Sequence, residues 1–175
     1  MLSGYGELWN KVREIRRASE IIAVDSVRSD KTFFTRVAMP KVIRVLETCV
    51  HVKDVELSAR FYETLFGFSR MDANERFCAF DAGGGTVFLL FREGGTTEPV
   101  ATPGGVIPPH GGTGDLHLAF SVRSEDLASW EKRLGEEGIA IESRVHWERG
   151  GHSLYFRDPD HHLLELATPG IWPTY

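Results

Sequence analysis

At 175 residues, 42% hydrophobic and 26% charged, the chain is long enough for one domain or two small modules sharing a core, with the composition of an ordinary globule. A formal net charge of −5 with no long Lys/Arg cluster gives no electrostatic footprint for nucleic acid. There is no apolar run of membrane-spanning length and no secretory signal core, and Cys49 and Cys78 read as reduced thiols of a cytoplasmic protein, a disulfide being the minor alternative.

Residues 1–41 form an N-terminal extension. Leu8, Val12, Ile15 and Ile22 fall near helical spacing with charged residues between them, which predicts an amphipathic helix. The competing expectation is a native start at Met39, which makes the extension a start-site artefact. Residues 42–92 read as a first module. Val42–Val52 alternates like a strand. Asp54 is placed to cap a helix whose apolar face is Leu57, Phe61, Tyr62 and Leu65, and Gly67 is placed to end it. Short strands are expected at Phe68–Met71, Phe77–Asp81 and Thr86–Phe91, with Gly83-Gly84-Gly85 as a turn.

Residues 93–114, rich in Gly, Pro and Thr, read as a linker. Residues 115–170 repeat the order: a strand at Leu116–Val122, a helix capped by Ser124 and ended by Gly138, then strands at Ile139–Ser143, Ser153–Arg157 and Leu163–Ala167. Residues 171–175 are a tail. The repeat is visible in Val52-Lys53-Asp54-Val55-Glu56-Leu57 and Val122-Arg123-Ser124-Glu125-Asp126-Leu127, offset by 70 residues. The fold class is therefore α+β: two βαβββ modules forming a cup-shaped mixed sheet with helices on the outer face.

The same offset pairs Glu47 with His117. Strand alternation puts Glu47, Cys49 and His51 on one face, and His117, Ala119 and Ser121 on the matching face of the second module. The bulky opposite faces suit the helices, so Glu47 and His117 point into the cup. In the last strands Leu89 corresponds to Glu165, an ionisable group between Leu164 and Leu166. A lone buried carboxylate is costly unless it is paired or bound to metal. Glu47, His117 and Glu165 make a carboxylate–imidazole–carboxylate set suited to a divalent ion with open positions. The plainer alternative pairs Glu165 with His117 or Arg157. His51 is a cavity-wall or substrate-contacting residue, His110 reaches over the cavity mouth or stays a solvated loop residue, and His161-His162 are not taken as ligands.

Four segments resemble the vicinal oxygen chelate superfamily of glyoxalases, bleomycin-resistance proteins and extradiol dioxygenases. They are Leu46–Asp54, Phe61–Phe68, Leu116–Val122 and Ser153–Asp160 running into Leu163–Leu166. The resemblance implies one divalent metal ion (Mn, Fe, Ni, Co or Zn) held by Glu47, His117 and Glu165. Glu165 is the implied catalytic proton carrier if it leaves the metal, a metal-bound water being the equal alternative; Leu89, Phe91 and Tyr155, with Val87, are expected as apolar walls that select substrate, and His51 as a substrate contact. It also implies a homodimer acting on a small oxygen-bearing molecule, by lyase or isomerase chemistry of glyoxalase type. Glu47 where His or Gln is usual, and apolar Leu89 where glyoxalase-type sites carry Glu, depart from the family pattern. The alternatives are an extradiol-type dioxygenase and a metal-free binding protein of the bleomycin-resistance kind.

Overall fold

The computed structural model describes residues 39–175. The chain divides into Met1–Lys41 and Val42–Tyr175, and the helix expected over Leu8–Ile22 lies outside the described residues. In the second unit the first module comprises β1 (Glu47–Val52), α1 (Val55–Phe66), β2 (Ser69–Ala73), β3 (Phe77–Asp81) and β4 (Val87–Arg92). A hairpin of β5 (Val100–Thr102) and β6 (Gly105–Ile107) follows. The second module comprises β7 (His117–Ser121), a 3-10 turn at Ser124–Asp126 running into α2 (Leu127–Glu136), then β8 (Ser143–His146), β9 (His152–Arg157) and β10 (Leu163–Ala167).

The modules build two four-stranded mixed sheets of one topology, β1-β4-β3-β2 and β7-β10-β9-β8. In each, the first and last strands are parallel and the others antiparallel. The register repeats as well: Cys49 lies opposite Leu89, and Ala119 opposite Glu165. One face of each sheet enters a single core. Val50, Val52, Phe80, Phe88 and Leu90 of the first module join Leu118, Leu154, Phe156, Leu164 and Leu166 of the second. Phe66 of α1 reaches across to Phe120, with ring centroids 4.7 Å apart, and to Trp130, 5.8 Å away. Because neither module buries its apolar face alone, the two are joined by the hydrophobic effect itself.

Local caps bound α1, and one arginine ties its end to the other module. Asp54 Oδ1 accepts from Leu57 N at 3.0 Å, the expected cap of α1. Gly67, at φ 70°, ends the helix in the left-handed conformation that favours glycine. Arg133 of α2 donates its Nε to the Leu65 carbonyl at 2.7 Å, and its guanidinium also reaches Thr64 O. A cation from one module thus occupies the negative end of the other module's helix.

Three local expectations are corrected. Ser124 does not cap a helix: it lies inside the 3-10 turn, which starts without a side-chain cap, and Arg123 instead pairs with Asp126 at 2.6 Å. The strand expected at Ile139–Ser143 starts only at Ser143, because Ile139 and Ile141 pack against the core rather than joining the ladder. Residues 93–114 are more than a linker. Besides the hairpin they hold a buried Thr96, whose Oγ1 donates to His110 O at 2.6 Å while His110 N donates to Thr96 O at 2.9 Å.

Candidate metal centre

The chemistry gathers on the face of the second sheet turned away from the core. β10 is an inner strand, so Glu165 is flanked by Ala119 of β7 and Tyr155 of β9. Ala119 is small and leaves room above the carboxylate. Glu165 is only 6% exposed. A buried carboxylate needs partners for its lone pairs, and here each oxygen has one. Ser153 donates its hydroxyl to Oε1, and Oε2 stands 3.3 Å from His117 Nε2.

His117 sits on the edge strand with its side chain half exposed. Its Nδ1 lies 3.0 Å from the carbonyl of Leu163, its register partner. A carbonyl only accepts, so Nδ1 carries a proton and the ring turns Nε2 toward Glu165. Nε2 and Oε2 at this distance need a proton or a metal cation between them. An Nδ1 anchored to a backbone carbonyl is the arrangement that orients metal-binding histidines. The donor set therefore fits a divalent ion. Of the two pairings weighed for Glu165, the one with His117 is present, while Arg157 pairs with Glu142 at 3.1 Å.

Tyr155 completes the face. Its ring centroid is 6.2 Å from that of His117, and burial and the Glu165 charge raise its phenol above the ordinary value. A cleft of about 670 Å³, lined in part by Thr48, Phe88, Phe120 and Trp130, borders His117 but not Glu165. Ala119 and Ser121, which share the His117 face, line it too.

The first sheet carries the matching half. Glu47 is exposed at the start of β1, opposite Val87. Leu89 takes the register position that Glu165 holds in the second module. Among the described residues, no group of three His, Cys, Asp or Glu is close enough to hold an ion. One chain thus brings His117 and Glu165 together and leaves Glu47 outside that pair.

His51 is 5% exposed and enclosed. Its Nε2 is 3.3 Å from Thr96 Oγ1, and its ring lies 5.9 Å from Phe91 and 5.7 Å from His110. Burial, then the neighbouring His110, hold its pKa below the ordinary histidine value. The 96–112 segment thus covers the His51–Phe91 wall, and His110 does reach over it. His162 is structural: its Nδ1 accepts from Leu116 N at 3.1 Å and its Nε2 donates to His51 O at 2.9 Å.

Sequence reading missed Ser153 and Trp147. Strand parity with Tyr155 was a usable signal for Ser153. Trp147 follows β8 at a turn and carried none.

Similarity to known proteins was found at three levels. A family model described as "Glyoxalase/Bleomycin resistance protein/Dioxygenase superfamily" matches residues 44–166. The chain is 29% identical over 133 residues to a metallothiol transferase FosB of Bacillus licheniformis, covering 75% of this chain and 79% of that protein. It is 39% identical over 51 residues to a fosfomycin resistance protein FosX of Listeria monocytogenes, a local match covering 29% of this chain and 38% of the relative. The crystal structure of a lactoylglutathione lyase from Agrobacterium tumefaciens shares the fold, with a TM-score of 0.69 at 24% identity, over 77% of this chain and 99% of that one.

Proposed function

The chain belongs to the glyoxalase/bleomycin resistance protein/dioxygenase superfamily, and from that premise we propose a divalent-metal-dependent enzyme acting on a small oxygen-bearing molecule. His117 and Glu165 hold one ion of the Mn, Fe, Ni, Co or Zn group, and Glu47 from a second copy of the chain supplies the third donor. The observation that carries this reading is the Nε2–Oε2 pair at 3.3 Å, with the far nitrogen of the ring already committed. Glu47 is placed on the partner because one chain leaves it outside the pair, on an exposed strand end. A homodimer that sets the first sheet of one copy against the second sheet of the other completes the donor set.

The bound ion supplies Lewis-acid polarisation of a substrate oxygen and stabilises the negative charge that develops there. The chain's own residues do the rest. Tyr155, with Leu89 from the first sheet of the second copy, walls the face and excludes water. Glu165 accepts or returns a proton at Oε2 when that oxygen is released from the ion. The relative that matches over most of the chain is named a metallothiol transferase, which puts thiol transfer to the bound molecule first among reactions to assay. Glyoxalase-type lyase or isomerase chemistry is the second reading, supported by the buried carboxylate as proton carrier. A dioxygenase is less well supported, since Glu47 stands where ring-cleaving relatives are expected to carry a histidine.

The test is the metal content of protein purified without chelator or affinity-resin metal, beside Glu165→Gln. About one divalent ion per chain, lost in the variant, is expected for an open three-donor site. Full retention in Glu165→Gln overturns the assignment. No uptake from added Mn, Fe, Ni, Co or Zn salts makes the chain a metal-free binding protein.

A further inference from the structure

Trp147 opens the turn joining β8 to β9. Its backbone N donates to Gly151 O at 2.9 Å, and Gly150 N donates to Trp147 O at 2.9 Å. Its indole Nε1–H donates to Ser153 Oγ at 2.8 Å. An indole nitrogen only donates. The Ser153 hydroxyl therefore accepts from Trp147 and has one proton left, which goes to Glu165 Oε1. Ser153 is 1% exposed, so water does not compete for the hydroxyl. The indole fixes the direction of the first bond, and the hydroxyl proton points to Glu165 Oε1 beside the Tyr155 phenol.

We propose that Trp147 is a positioning residue which, through Ser153, holds Glu165 so that only Oε2 is offered to the metal. The proposal rests on the reading of His117 and Glu165 as metal donors. The hydroxyl takes one lone pair of Oε1 and disfavours two-oxygen binding, so Glu165 binds through Oε2. That keeps a coordination position open for substrate, as a catalytic site requires.

The hairpin backbone is anchored independently of the indole. His152 N donates to Thr168 Oγ1 at 2.8 Å, and Thr168 N donates to His152 O at 3.0 Å. Gly151 packs so closely on Gly170 and Ile171 that an added Cβ would lie 2.8 Å from the Gly170 carbonyl carbon. Trp147→Phe thus removes the N–H while leaving the turn in place.

Two readouts on the full chain test the proposal. In metal-free protein, the Trp147 indole cross-peak in a ¹H–¹⁵N spectrum is identified by its loss in Trp147→Phe. It is expected to shift in Glu165→Gln, and to ignore that substitution in a Ser153→Ala background. An indole that does not respond to Glu165→Gln overturns the relay.

In a Mn(II) titration, Trp147→Phe is expected to weaken binding about 10- to 100-fold, the usual effect of losing a group that orients a ligand. Ser153→Ala weakens it at least as much, and the double variant no further than Ser153→Ala alone. Wild-type affinity in Trp147→Phe, or fully additive losses, overturns the proposal. If the wild type binds no metal while the indole still responds to Glu165→Gln, the metal reading fails and the relay to Glu165 stands.

Discussion

The Tyr62 hydroxyl donates to Asp158 Oδ2 at 2.8 Å, joining α1 of the first module to the β9–β10 turn of the second across 96 residues of chain. Oδ1 of the same carboxylate accepts from the backbone N of Asp160 and of His162. Asp160 in turn accepts from Lys53 N at 2.9 Å and Ser58 Oγ at 2.7 Å. The turn that delivers β10, and with it Glu165, is thereby tied to the start of α1.

Removing the phenol leaves Oδ2 without its donor. Tyr62→Phe is expected to lower stability by about 1–3 kcal/mol, read from the urea midpoint. Burial raises the Asp158 carboxyl above the ordinary aspartate value, against the lowering effect of its hydrogen bonds. A raised folded value means the native state holds its proton more tightly than the unfolded chain. The corresponding stability is present below the ordinary value and is lost as pH rises through the raised one. Urea midpoints of Asp158→Asn measured across this acidic range should lack that decline.

His162→Ala is expected to cost about 1–3 kcal/mol, because it strands the part-buried Leu116 N–H and the buried His51 carbonyl that the ring bridges. Metal content should not change. A folded His162→Ala protein that lost its metal would mean that the ring, by holding Leu116 N, also positions His117.

His161 has φ 68°, the described non-glycine residue in the left-handed region. That conformation costs a side-chain-bearing residue roughly 1–2 kcal/mol, partly offset by the backbone entropy a glycine loses. His161→Gly should therefore raise stability by roughly 0.5–1 kcal/mol, visible as a higher melting temperature. The Arg157 Nη1 bond to the His161 carbonyl, 2.9 Å long, does not depend on the side chain.

If Glu47 completes the site from a second copy, Glu47→Gln and His117→Ala proteins each lose the metal. Unfolding them together and refolding the mixture should restore metal to a fraction of the chains, since a mixed dimer carries one intact set. Recovery of none after confirmed subunit exchange argues that Glu47 is not a cross-chain donor.

Burial pushes the Cys78 thiol up to about 11. Thiolate is the reactive form, so Cys78 should resist iodoacetamide near neutral pH in the folded protein and react on unfolding. The folded value lies above the unfolded one. The thiol's contribution is therefore complete below the ordinary cysteine value and is lost as pH rises toward about 11.

The duplicated strand–helix pattern, the Asp54 and Gly67 helix ends and the parity of Glu47, His117 and Glu165 were all readable in the sequence. Each is set by local stereochemistry: strand alternation, a cap three residues from its N–H, a glycine at positive φ. Tertiary structure decided what those rules do not reach. Ile139 and Ile141 look like strand but are drawn into the core. Residues 93–114 look like linker, yet they wrap His51. Glu165 turned out to share its two oxygens between His117 and a serine held by Trp147. That division depends on how β7, β9 and β10 lie beside one another, and no spacing within a single strand encodes it. The same limit applies to Glu47: its sequence offset matches His117, but distance within one fold leaves it apart from the pair it was expected to join.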